Sequence, residues 1–111
     1  RLCWVDPDGK SLNLKEGIIR ARFRESLTAP SPIEPGRIYE YRISLGPLAV
    51  RIPEGYRLRL DVSSSDFPQW DRNLNTGGPL GREGPEKAVV ATQTVLHDRV
   101  RPSRVTLPVL P

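Results

Sequence analysis

Alternation with a period of two runs through most of this chain and restricts it more than any other property. Arg37 to Leu45 sets Tyr39, Tyr41, Ile43 and Leu45 on one face and Ile38, Glu40, Arg42 and Ser44 on the other. Tyr56 to Ser63 points Leu58, Leu60 and Val62 inward, while Ile19, Ala21 and Phe23 alternate with Arg20, Arg22 and Arg24. Successive side chains point to opposite faces only in an extended strand, so this spacing predicts β structure. Leu2 to Val5, Leu48 to Ile52, Ala88 to His97 and Arg104 to Val109 complete the predicted set. Proline and glycine clusters separate the elements at Asp6-Pro-Asp-Gly9, at Pro30, Pro32, Pro35 and Gly36, and at Pro53-Glu-Gly55. Proline fixes φ and glycine accepts positive φ, which suits turns. The one helical candidate is a single turn near Asn13 to Gly17, with Asn13 as cap and Gly17 as terminator. Six or seven short strands at this spacing argue for an all-β sandwich or jelly roll, read as one domain over residues 1–111.

At 111 residues the chain has enough material for a core, and no apolar run approaches the roughly 20 residues that span a bilayer. The single cysteine, Cys3, rules out an internal disulfide and reads as a small buried hydrophobe within the first strand. The chain opens on Arg1 and has no Met, as expected of a fragment or processed piece. A net charge of +4 comes from fourteen arginines and three lysines against thirteen acids. Arg20, Arg22, Arg24, Arg57 and Arg59 lie at alternate positions and so share strand faces. Such a face suits bidentate carboxylate pairs at a protein interface, and no nucleic-acid motif or stacking pattern accompanies it. Neither a nucleic-acid nor a membrane partner is therefore expected.

Catalytic constellations are missing. No Gly-x-Ser-x-Gly elbow is present, as a nucleophilic serine on an α/β-hydrolase sheet requires. His97 is the only histidine, and its neighbour Asp98 would point to the opposite face of a strand. The acids fall in turns (Asp6, Asp8, Glu34, Glu54) or beside arginines (Glu25, Asp71), so no catalytic residue, metal site or cofactor is expected. Asp6-Pro-Asp-Gly9 alone is a weak calcium signal.

The candidate site is the irregular stretch after the Tyr56–Val62 strand, Ser63 to Gly78. It gathers Ser64, Ser65, Phe67, Pro68, Trp70, Arg72 and Asn73 in a segment that reads as neither helix nor strand. Ordering such a segment opposes about 1–2 kcal/mol of backbone entropy per residue, so more than a simple turn must hold it. Its continuation, Gly77 to Pro85, is flexible by composition. Phe67 and Trp70 have three readings: a sugar-stacking pair, anchors against another domain, or caps on the sandwich core. Phe67-Pro68 also permits a cis peptide.

The same stretch resembles the Ser-Ser-Ser-x-Phe-Pro…Asp-Arg-Asn-x-Asn-Thr-Gly run in the C-terminal β-domain of the cocaine esterase and X-prolyl dipeptidyl peptidase group of α/β-hydrolases. Leu2-Cys-Trp-Val-Asp-Pro-Asp-Gly9, Gly17-Ile-Ile-Arg-Ala-Arg-Phe-Arg-Glu-Ser26 and Pro35-Gly-Arg-Ile-Tyr-Glu-Tyr41 are similar to its motifs in order. Gly55-Tyr-Arg-Leu-Arg-Leu60, Ala91-Thr-Gln-Thr-Val-Leu-His97 and Pro102-Ser-Arg-Val-Thr-Leu-Pro-Val109 continue the match to the end of the chain. The resemblance implies a galactose-binding-like jelly roll, packed on a catalytic domain that alone carries the Ser-Asp-His triad. It implies a role in shaping the active-site entrance and in oligomer contacts; the compartment is unknown from the sequence, the cytoplasm being favoured for the parent protein. Family domains begin with strands ahead of the turn matched by Asp6 to Gly9. This chain lacks them, so exposed sheet edges and core surface are expected. Against that background, Ser63–Gly78 reads as a docking loop with Phe67, Trp70 and Arg72 facing the catalytic partner.

Overall fold

Leu2-Cys-Trp-Val5 is the most apolar run near the start of the chain, and it forms the central strand, β1 (Leu2–Val5). Leu2, Cys3 and Val5 are buried there. In this computed structural model, which describes residues 1–110, β1 is flanked by β2 (Ser11–Lys15) and β3 (Arg57–Leu60). The order is β2-β1-β3 and both pairings are antiparallel. Trp4 is registered with Leu12 on one side and Leu58 on the other; Cys3 is registered with Asn13 and Arg59. An irregularity in the β2 pairing falls between Leu2 and Cys3.

The predicted Asp6–Gly9 turn joins β1 to β2. Asp6 donates its N–H to the Lys10 carbonyl at 3.0 Å, and its carboxylate accepts the Lys10 N–H at 2.7 Å. Gly9 holds φ at +87°, a conformation that suits a residue without Cβ. Beyond β3 the ladder continues, because Asp61 donates its N–H to the Arg1 carbonyl at 2.9 Å. On one face Trp4 meets Tyr56 edge-to-face with centroids 5.3 Å apart. Regular structure among the described residues is antiparallel β plus two 3₁₀ turns, Ala21–Phe23 and Pro85–Lys87. The fold class is all-β.

Several local expectations are corrected. Asn13 does not cap a helical turn; it lies inside β2, and its amide donates to the Glu16 carboxylate at 3.3 Å. Ser11-Leu-Asn-Leu-Lys15 itself alternates, and the open edge of β1 offers it a ladder that outweighs the weak cap. Residues 19–24 form no strand, since the chain closes into the 3₁₀ turn Ala21–Phe23 around the Arg24 side chain. That side chain is only 8% exposed and donates to the carbonyls of Ala21 and Ser31 at 3.0 and 2.6 Å. Residues 37–45, 48–52, 88–96 and 104–109 are likewise without regular ladders. A strand persists only where a neighbour accepts and donates its backbone hydrogen bonds, and alternation alone supplies none. Leu58, Leu60 and Val62 do not point inward; they are 44%, 45% and 64% exposed.

The chain divides into two compact units, Arg1–Ser63 and Ser64–Pro111. The three-stranded sheet belongs to the first. The second holds the candidate stretch, the Pro85–Lys87 turn and an isolated antiparallel bridge between His97 and Pro102.

Candidate functional site

The candidate stretch is ordered by a chain of local hydrogen bonds. Trp70 donates its N–H to the Asp66 carbonyl at 3.0 Å, closing a five-residue turn that contains Phe67, Pro68 and Gln69. The Phe67–Pro68 peptide bond is cis. Asn73 accepts the Asn75 N–H on its side-chain oxygen at 3.2 Å. Asn75 adopts φ = 59°, a left-handed conformation that asparagine tolerates better than most residues. Its amide donates to the Val89 carbonyl at 2.9 Å, while Val89 returns its N–H to the Leu74 carbonyl at 2.9 Å. This reciprocal pair fastens residues 74–75 to residue 89. Further on, the Thr76 hydroxyl donates to the Glu83 carboxylate and accepts the Gly78 N–H at 3.1 Å, closing the glycine-rich half.

Phe67 is 57% exposed and Trp70 is 42% exposed. Ser64, Ser65, Pro68, Arg72 and Asn73 are also exposed. The Arg72 guanidinium lies over the Phe67 ring, 4.4 Å from its centroid, so two of the singled-out residues form a stacked pair. Neither aromatic is buried here. Asn75 and Val89 escaped the sequence reading. The signal for Asn75 was present, an asparagine just before Thr76-Gly-Gly, a position where positive φ is common.

Elsewhere, Asp98 serves the backbone. Asp98 accepts the N–H groups of Val100 and Arg101 at 2.9 and 2.8 Å, and its other oxygen meets the Arg101 guanidinium at 2.8 Å. Those bonds from Arg101 and then Val100 hold the Asp98 carboxyl below its ordinary range. A carboxylate so occupied does not orient His97 as a base. Asp6 is engaged by its own turn, and among the described residues no three His, Cys, Asp or Glu side chains come together as a metal site. Cys3 is buried in β1, its thiol 3.7 Å from the Asp61 carboxylate. No described helix is long and apolar enough to cross a membrane. The geometry provides a presented surface, with aromatic and cationic groups on an ordered frame.

Comparison with known families supplies the context. The model of the X-Pro dipeptidyl-peptidase C-terminal non-catalytic domain matches residues 1–106. The chain belongs to that family. Cocaine esterase of Rhodococcus sp. (strain MB1 Bresler) is 40% identical to it over 110 residues, 99% of this chain. The chain spans 19% of that relative's length. As a member of the X-Pro dipeptidyl-peptidase C-terminal family it is of the non-catalytic type, in agreement with its lack of a nucleophile elbow.

Proposed function

We propose that this chain is the accessory β-sandwich domain of a serine α/β-hydrolase of the esterase or dipeptidyl-peptidase type. It docks on the catalytic domain of the same protein through Ser64, Ser65, Phe67, Pro68, Trp70, Arg72 and Asn73. From that position it helps shape the active-site entrance and contributes to oligomer contacts. The reading rests on one observation above others: Phe67 and Trp70 are held exposed on a hydrogen-bonded frame. Large aromatics and arginine are the residue types that dominate binding energy at protein interfaces.

The surface balance supports the same reading. The accessible area is 9730 Å². Counted as two separate globules of about 7.1 and about 5.4 kDa, the chain would expose about 7,400 Å² in all. The excess includes Leu12, Leu58, Leu60 and Val62 of the first unit and Phe67, Trp70 and Val90 of the second. Such apolar surface is stable in water when other protein covers it.

A carbohydrate-binding role for Phe67 and Trp70 fares worse. Exposed aromatics suit other partners as well, and the family matched over residues 1–106 is a non-catalytic peptidase domain, not a sugar-binding one. An ester-hydrolysis assay on the isolated chain should show background turnover, whereas sustained turnover would sink the accessory reading. A titration with simple sugars should leave tryptophan fluorescence unchanged.

A further inference from the structure

We infer that the surface received by this loop is an apolar socket with a carboxylate at its rim, and that Arg72 is the group that recognises the carboxylate. The inference rests on the docking reading above and specifies the chemistry of the partner face. Its starting point is how the arginines are employed. Arg1, Arg24, Arg37, Arg42, Arg59 and Arg101 each meet an acid within the chain. Arg72 meets none among the described residues, a property it shares with Arg51, Arg57, Arg82, Arg99 and Arg104, but of these it alone is stacked on an aromatic ring. Its guanidinium is instead laid over Phe67 at 4.4 Å.

That placement prepares the group for a bidentate partner. The ring attracts the cation through its negative face but leaves the N–H donors, which lie in the guanidinium plane, without acceptors among the described residues. A planar fork held in one orientation loses less freedom when a carboxylate arrives, and Arg–carboxylate pairs favour two parallel hydrogen bonds. Phe67 is 57% exposed even with Arg72 upon it, so its remaining surface is available for apolar contact. Trp70, whose N–H closes the turn on Asp66, is a second exposed aromatic on the same short loop. The matching surface is therefore apolar with an Asp or Glu at its edge. A surface lacking the acid would desolvate Arg72 without compensation, which is unfavourable. The occupant is the catalytic part of the same polypeptide, since the matched stretch is 19% of the relative's length and leaves ample further protein to supply it.

The test is made on the full-length polypeptide, through its thermal unfolding midpoint at about 50 mM and about 0.5 M NaCl, salt levels that span weak to strong screening. Arg72→Ala and Arg72→Met should both lower the midpoint by about 2–4 °C at low salt. The deficit should shrink at high salt, and Arg72→Lys should restore less than half of it, because an ammonium does not form the fork. Midpoints unchanged in all three variants, with Trp70→Ala still lowering it, would overturn the carboxylate inference and leave the docking reading standing. No effect from Trp70→Ala as well would remove the docking reading itself. A loss confined to Arg72→Ala, with Arg72→Met unaffected, would assign the contact to the side-chain stem and overturn the inference. Dissociation of a dimer by Arg72→Glu at an unchanged midpoint would make the occupant a second copy and also overturn it.

Discussion

The guanidinium of Arg24 lies over the ring of Tyr39, 4.4 Å from its centroid, joining two residues fifteen positions apart. Arg37 approaches the same ring at 5.2 Å, and the Tyr39 hydroxyl accepts the Glu34 N–H at 3.0 Å. Arg24 also holds the carbonyls of Ala21 and Ser31 and the Ser31 hydroxyl. One buried arginine thus closes residues 21–39, including the 19–24 stretch that its alternation would have drawn as a strand. Its ion pair with Glu25 adds little, because Glu25 is 66% exposed.

Arg24→Ala should therefore destabilise the protein by about 2–4 kcal/mol, since it leaves several acceptors without a donor. Glu25→Gln should fall within about 0.5 kcal/mol of the wild type. Urea titrations of the two variants check the contrast, and equal losses would contradict the clasp.

Gly17 marks a close approach between segments. A Cβ there would run into the Ser44 carbonyl oxygen, with Ile43 Cγ2 at 3.0 Å. A backbone carbonyl does not move aside as a flexible side-chain tip can. Gly17→Ala is expected to cost about 1–3 kcal/mol despite the higher β and helix propensity of alanine. Gly36→Ala, with nothing within 4 Å of its Cβ, is a useful comparison, limited to the strain of its +77° φ. Unfolding midpoints of both variants in parallel measure the difference.

The 97–102 hairpin should loosen in acid. Arg101 and Val100 favour the ionised Asp98 and hold its pKa down. A depressed carboxyl pKa means that its contribution is complete at neutral pH and lost as pH falls through the folded-state value, below the ordinary carboxylate range. The Val100 and Arg101 amide resonances, whose N–H groups Asp98 accepts, should shift through that window in an NMR titration. In Asp98→Asn the shift should vanish.

Some of this architecture is legible in the sequence and some is not, for identifiable reasons. Val5-Asp-Pro-Asp-Gly9 announces its turn because proline and glycine act locally, and Leu2–Val5 and Arg57–Leu60 alternate or run apolar where β1 and β3 form. Asn13 misleads, since one residue serves equally as a helix cap and as a strand position, and only the neighbouring β1 decides. Arg20-Ala-Arg-Phe-Arg24 misleads for a different reason: the long side chain of Arg24 captures carbonyls that a strand would have offered to a neighbour. At the candidate site, the aromatic and cationic composition is visible in the sequence. The stacking of Arg72 on Phe67 and the tie from Asn75 to Val89 depend on how the chain folds back, which residue types do not specify.

The central claim is that the loop carrying Phe67, Trp70 and Arg72 is covered by other protein in the full-length molecule. Hydrogen exchange of the Asp66–Leu74 amides tests it most directly, comparing the full-length polypeptide with its Trp70→Ala variant. Docking predicts slow exchange across this segment in the wild type and at least tenfold faster exchange in Trp70→Ala, about 1.4 kcal/mol of lost protection. Fast exchange in the wild type, with no change on removing Trp70, would contradict the account.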